Sequence, residues 1–175
     1  MTGDVEIREG APSETDAIES IYPDAFPDEN LLPLVRDLLE DVAVTTSLVG
    51  VIDSRIVGHA IFTKCGVVGS NVDAALLGPL AVAPAWHRRG FGSAIVSAGL
   101  QRLEEMDMNL VCVLGDPAYY GRLGFRPESQ VTPPYLLPPE WDGAWQSQIV
   151  GDMAMPVSGI LSVPRQWLQP ALWAP

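Results

Sequence analysis

Apolar positions along the chain fall into runs of two different periods, and each change of period marks an element. Residues 74–82 are an almost unbroken apolar run of Leu, Val and Ala that stops at Pro84, the pattern of a strand covered on both faces. After Ala85, Trp86 and His87 comes Arg88-Arg89-Gly90-Phe91-Gly92-Ser93. Ser93, Ser97, Gln101 and Glu105 then recur four apart, with Phe91, Ile95, Val96, Leu100 and Leu103 on the other faces. That spacing predicts a helix with one wet stripe and buried flanks. Strand, turn and helix form the centre of the chain.

The remaining segments read as follows. Val5-Glu6-Ile7-Arg8 alternates as a first strand. Ser13 is placed to cap a short helix over 14–22 that Pro23 ends, and 23–30 is loop. Asn30 is placed to cap a second helix over 31–40, in which Leu31, Leu34, Val35, Leu38 and Leu39 recur at helical spacing. Runs 42–52 and 55–68 flank Asp53-Ser54 as a hairpin, and 66–71 is loop. Residues 110–114 are a continuous apolar strand bounded by Gly115. Asp116 then caps a helix of one or two turns with Pro117 at its first position and Gly124 beyond its end.

From Arg126 the texture changes, because nine of the sixteen prolines fall in 127–175. Strand-like runs 144–150 and 153–156 survive there, and neither could bury a core alone, so both are expected to close the same sheet. The tail 163–175, with Trp167 and Trp173, is expected to cover a sheet edge, with a homodimer contact as the alternative. At 175 residues the chain is expected to form one domain, since a chain of this size buries about 70% of its unfolded surface.

Charge narrows the partners. The net charge is −12, with Lys64 as the single lysine beside nine arginines, which argues against a nucleic-acid surface. An acidic surface suits cationic or neutral partners. Cys65 and Cys112 stand in apolar runs without ligand spacing, as reduced buried thiols of a cytoplasmic protein do, and no metal set is apparent. The first ten residues are acidic and polar, unlike a signal peptide. The longest apolar and Gly/Pro run, 74–86, is too short and holds two prolines, so no membrane span is expected.

The turn at 88–93 carries the candidate chemistry. Two glycines let a backbone approach a ligand, the first helical turn presents unpaired N–H groups, and Arg88 and Arg89 add positive charge. Phosphate or pyrophosphate is the natural guest. The same glycines would equally serve a plain strand-to-helix join with solvated arginines. A Walker A loop is absent, and Ile95 stands where a dinucleotide fingerprint has its third glycine.

What remains, His87-Arg88-Arg89-Gly90-Phe91-Gly92, resembles the acyl-CoA signature Gln/Arg-x-x-Gly-x-Gly/Ala of the GNAT superfamily of N-acyltransferases, with His87 as a departure. Residues 110–125, LVCVLGDPAYYGRLGF, carry that superfamily's Tyr-x-x-x-Gly-Phe ending as Tyr120, Gly124 and Phe125. The order Gly-Pro-Leu-Ala-Val (78–82), Gly-x-Gly (90–92), Val-Leu-Gly-Asp-Pro (113–117) and Tyr119-Tyr120 is similar to its YhbS-type branch. The likeness is carried by 76–127.

The resemblance implies an α+β fold, a mixed and mostly antiparallel twisted sheet flanked by helices, completed by the Pro-rich portion. It implies an acetyl-CoA-dependent N-acetyltransferase acting on an amine of a small molecule or protein. The donor's pyrophosphate would rest on His87, Arg88, Arg89, Gly90, Phe91, Gly92 and Ser93. The backbone of Leu80, Ala81 and Val82 would hold the pantetheine arm and polarise the thioester oxygen, with Pro79 unable to donate to a ladder. Asp116, where many members carry Asn, and Tyr119 would add donor contacts. Tyr120 would be the general acid, since a phenol near pKa 10 can protonate a thiolate of about pKa 8.5.

The base stays open among Glu29, His59, Asp73, Asp116 and a water chain, although a histidine among Val57, Ile61 and Phe62 is also expected to be packed and hydrogen-bonded. Phe26, Asp28 and Glu29 would border the acceptor pocket. Two other readings stand beside this one: a non-catalytic acyl-CoA-binding module on the same fold, and an unrelated phosphate-binding α/β protein.

Overall fold

The computed structural model describes residues 4–153 and 156–175. Its elements are β1 (Glu6–Glu9), α1 (Thr15–Glu19), α2 (Tyr22–Ala25), α3 (Leu32–Glu40), β2 (Thr45–Ile52), β3 (Arg55–Val67), β4 (Asp73–Val82), α4 (Phe91–Glu105), β5 (Leu110–Leu114), α5 (Pro117–Gly121), β6 (Arg126–Pro127), β7 (Val131–Thr132), β8 (Trp145–Ile149) and β9 (Gly159–Ser162). The backbone divides into two compact units, Met1–Phe62 with Gly78–Gly99, and Thr63–Leu77 with Leu100–Pro175. β3 and β4 each run from one unit into the other. Among the described residues no helix is long and apolar enough to cross a membrane.

In the first unit the strands follow the order β1-β2-β3-β4. β1 pairs antiparallel with β2 from Glu6↔Val51 to Glu9↔Leu48. β2 and β3 are joined by Asp53-Ser54, both at positive φ (49° and 63°), the twist that a two-residue hairpin favours. Leu48–Ile52 and Val57–Thr63 are buried without alternation, because both faces of these strands are covered. The first part of α4 provides one cover: Ile95 and Val96 are fully buried, and a Cβ at Gly58 would stand 2.6 Å from Ile95 Cδ1. Ser97, Gln101 and Glu105 stay exposed, as the wet stripe requires. Burial of each such aliphatic side chain contributes about 1.5–3 kcal/mol.

Three helix boundaries differ from the sequence reading. Ser13 caps nothing; Pro12–Glu14 forms a 3-10 turn and α1 begins at Thr15. The orphan N–H of Ala11 is taken by Glu14 Oε1 at 2.8 Å, while the same carboxylate receives both Arg8 guanidinium nitrogens at 2.7 and 2.8 Å. Pro23 does not end a helix. It sits in the first turn of α2, where its missing N–H has no partner to lose. Asn30 makes no cap either: Leu31 is the cap residue of α3 and Pro33 lies in its first turn.

In the second unit the order is β4-β5-β8-β6. β4 and β5 are parallel from Ala74↔Leu110 to Leu77↔Val113. β8 pairs antiparallel with β5, from Leu110↔Ile149 to Leu114↔Trp145, and β6 with β8. β9 pairs antiparallel with β3 and parallel with β7. Among the described residues the chain from Arg126 onward therefore supplies four strands. Of the expected strand 153–156, Ala154 and Met155 lie outside the described residues, and Met153 and Pro156 are in no strand.

The tail packs within this unit, on Trp145 of β8 and Thr63 of β3. Trp173 is 2% exposed. Its ring packs edge-on against Trp145 and Trp167 at 5.8 and 6.1 Å, and its indole N–H donates to the Trp167 carbonyl at 3.0 Å. The Trp167 N–H donates to Thr63 Oγ1 at 3.1 Å. Each polar handle of these aromatics is satisfied.

Candidate active site

The turn that opens α4 is built in the first unit. Ala83 donates its N–H to the Val57 carbonyl at 2.8 Å, which ties the end of β4 to β3, and Pro84–Trp86 then makes a 3-10 turn. Phe91 anchors the start of α4 by packing with Ile52 and Val57, against which Val5, Val82 and Trp86 also lie. Between these anchors Arg88 and Gly90 take positive φ of 61° and 80°. At Gly90 a Cβ would meet nothing within 4 Å, so glycine serves the backbone conformation and not a packing constraint.

His87, Arg88, Arg89 and Gly90 are all exposed, with Gly92 and Ser93 half-buried behind them. Arg89 lies over the Trp86 ring, its guanidinium carbon 5.2 Å from the centroid, a cation–π contact that holds it beside the turn. The first helical N–H groups here lack intrahelical acceptors, and two guanidinium groups stand beside them. His87 contributes more than backbone: its Nε2 donates to the Val82 carbonyl at 2.6 Å. Leu80, Ala81 and Val82 close β4 in the same unit, and Ala81 is 1% exposed.

The second unit carries Asp116, Tyr119 and Tyr120. Asp116 caps α5 as expected, its Oδ1 accepting the Ala118 N–H at 2.9 Å. Gly124, at φ 98°, turns the chain so that the Phe125 N–H reaches the Tyr120 carbonyl at 3.1 Å. The Tyr120 ring is pinned edge-on by Tyr119 at 5.0 Å and by the buried Phe125 at 5.7 Å. A Cβ at Gly115 would stand 2.5 Å from Tyr120 Cε2. Burial, and then the neighbouring Tyr119, push the Tyr120 phenol above its ordinary value. It is therefore held protonated at neutral pH.

The sequence of the Acetyltransferase (GNAT) family model matches residues 15–125. The chain belongs to that GNAT family. It is 32% identical over 155 residues to the uncharacterized N-acetyltransferase YjhQ of Escherichia coli strain K12, covering 84% of this chain and 85% of the relative. The crystal structure of the GNAT family N-acetyltransferase YhbS from Escherichia coli in complex with CoA superposes with a TM-score of 0.85 at 27% identity, over 94% of this chain and 92% of that one. A GNAT family acetyltransferase from Brucella melitensis in complex with acetyl-CoA gives 0.75 at 25% identity, over 94% and 98%.

Other candidates of this GNAT chain fall in different surroundings. His59 is fully buried between two hydroxyls, Tyr22 Oη at 2.7 Å from Nδ1 and Ser47 Oγ at 2.8 Å from Nε2, which is the packed and hydrogen-bonded role. Phe26 stacks on Tyr22 at 6.0 Å, while Asp28 and Glu29 are exposed. Asp73 opens β4; its carbonyl accepts the Asn109 N–H at 2.8 Å and its N–H donates to Asn109 Oδ1 at 2.9 Å, in the other unit from Leu80, Ala81 and Val82.

Sequence reasoning missed a cavity of about 430 Å³ in the second unit of this acetyltransferase, where Leu114 and Asp116 face Glu140, Trp141, Asp142 and Ala144. The signal was Pro-Glu-Trp-Asp-Gly at 139–143, an aromatic between two carboxylates inside a proline-rich stretch.

Proposed function

We propose that this acetyltransferase moves the acetyl group of acetyl-CoA to an amine nitrogen by direct attack, with the donor's pyrophosphate on the turn from His87 to Ser93. The carrying observation is that turn: Arg88 and Gly90 in the left-handed region, two exposed guanidinium groups and the unpaired N–H groups of a long helix. The CoA and acetyl-CoA seen in the YhbS and Brucella melitensis structures support the choice of donor. The whole chain is read as one catalytic domain, and the two thiols, Cys112 buried and Cys65 half-buried and pushed up to about 12 by desolvation, support a reducing cytoplasmic setting.

In the reaction the neutral amine attacks the thioester carbonyl carbon. The C–N bond forms, the carbonyl oxygen takes negative charge against backbone N–H groups of Leu80, Ala81 and Val82, and collapse breaks the C–S bond. Tyr120 gives its proton to the departing sulfur, and the nitrogen's surplus proton restores the phenol through water. The products are an amide and CoA thiol.

The test is calorimetric titration of the protein with acetyl-CoA, with CoA, ATP and NAD alongside, followed by an acceptor screen read by thiol release. Micromolar binding of acetyl-CoA and CoA without ATP or NAD binding is expected. Failure to bind acetyl-CoA would overturn the assignment, and tight donor binding without thiol release for any acceptor would leave an acyl-CoA-binding module instead.

A further inference from the structure

We infer that Gly115, held by Gln146, is a positioning residue for the general acid and fixes where the Tyr120 hydroxyl stands. This rests on the reading of Tyr120 as the acid given above. Gly115 lies outside the left-handed region, so its backbone conformation does not call for glycine. What the position excludes is a side chain. A Cβ there would meet three atoms of the Tyr120 ring: Cε2 at 2.5 Å, Cδ2 at 3.1 Å and Cζ, the carbon that bears the hydroxyl, at 3.6 Å. Two carbons touch at about 3.5 Å, so the ring edge would have to retreat by about 1 Å.

Both sides of this contact are tied. The Gly115 N–H donates to the Ala144 carbonyl at 3.0 Å, and the Gly115 carbonyl accepts from Gln146 Nε2 at 3.2 Å. Gln146 is 1% exposed, and its Nε2 also donates to the Ala144 carbonyl at 3.3 Å. One buried amide thus fastens the turn after β5 to β8. Across the contact, the Tyr120 N–H donates to the Asp116 carbonyl at 3.0 Å, and the Tyr120 carbonyl accepts from Leu123 and Phe125 at 3.0 and 3.1 Å. Tyr119 and Phe125 hold the ring edge-on. All these groups belong to the second unit. With both backbones fixed, an added methyl group displaces the ring, and the hydroxyl moves with it. A general acid must stand within about 2.6–3.2 Å of the atom it protonates. A misplacement of about 1 Å lowers a rate on the order of 10²-fold. The phosphate turn is built from residues of the other unit, so donor binding does not depend on Gly115.

The experiment is a double-mutant cycle read by thiol release from acetyl-CoA, with ethylamine, small enough to enter a site built for a larger amine, as the acceptor. Gly115→Ala should lower kcat on the order of 10²-fold, with calorimetric acetyl-CoA affinity within about twofold of the parent. In the Tyr120→Phe background, where no phenolic proton remains to be aimed, the same substitution should produce no further fall. A merely structural glycine would lower both backgrounds alike. Gln146→Met removes the amide that fastens Gly115 to β8. It should show a smaller loss with the same dependence on Tyr120, and it decides the matter should Gly115→Ala not fold. Unchanged kcat in both variants, equal losses with and without the Tyr120 hydroxyl, or donor affinity lost in step with kcat would each overturn the inference alone. A Tyr120→Phe protein that turns over like the parent, or a parent that binds acetyl-CoA and releases no thiol with ethylamine or any acceptor of the screen, would overturn it together with the reading it rests on.

Discussion

The hydroxyl of Tyr22 lies 2.7 Å from Nδ1 of His59, and both side chains are buried. Burial pushes the Tyr22 phenol up, so its O–H donates to Nδ1 and leaves Nε2–H to donate to Ser47 Oγ. The same burial pushes His59 down to about 3. The folded chain thus refuses a proton that the unfolded chain accepts below about pH 6.5. Stability from this site is complete above that pH and is lost as pH falls toward 3. Urea unfolding should show a loss of about 2 kcal/mol between pH 6.5 and 5, before most carboxylates titrate. His59→Asn should be less stable at pH 7.5 but flatter over that window; an equally steep profile would refute the assignment, since the other histidine, His87, is exposed.

Tyr120→Phe tests the general acid. The ring contacts with Tyr119 and Phe125 need no hydroxyl, so folding and acetyl-CoA affinity should persist. Turnover should fall by roughly 10²–10⁴, the usual worth of a positioned acid. Because burial raises the phenol, wild-type activity should show no decline as pH approaches the ordinary tyrosine value of about 10. An unaltered turnover number in the variant would remove Tyr120 from the mechanism.

Two glycines predict opposite costs. A Cβ at Gly99 would fall well inside van der Waals distance of the Phe62 ring, which is buried and has nowhere to move. Gly99→Ala should lower stability by about 1–3 kcal/mol despite the better helix propensity of alanine. At Gly58 the crowding atom is Ile95 Cδ1, the tip of a side chain that can rotate, and Ala81 O is at 3.4 Å. Gly58→Ala should stay within about 1 kcal/mol of the parent. Denaturant midpoints in the reverse order would show that α4 sits differently on β3.

Trp173 is the keystone of the tail. Trp173→Ala removes its packing against Trp145 and Trp167 and should cost about 3–5 kcal/mol. A thermal midpoint shifted by less than a few degrees would mean that the tail contributes little to folding.

The central strand, the glycine turn before α4, α4 itself, the hairpin and the 110–125 segment were legible because each is set by its own periodicity or turn chemistry. The α1 boundary was not, because the Glu14 carboxylate, held by Arg8 from a different element, takes the Ala11 N–H and so caps a 3-10 turn over Pro12–Glu14 where the helix was expected to begin. Two-residue strands such as β6 and β7 have no periodicity of their own and exist through their partners. His59 was readable as buried, yet its partners stand 37 and 12 residues away. The cavity was hidden for the same reason, since 114–117 and 140–144 meet only through the pairing of β5 with β8.

The five tryptophans divide by duty. Trp145, Trp167 and Trp173 are packed away in one cluster, whereas Trp86 is half-buried beneath Arg89 and Trp141 half-buried at the cavity. The protein thereby carries its own optical reporters. Emission from the cluster follows unfolding, and the fraction open to an aqueous quencher comes from the two half-buried indoles. Replacing Trp86 or Trp141 by Phe in turn assigns each change in intensity to one indole, without any added label.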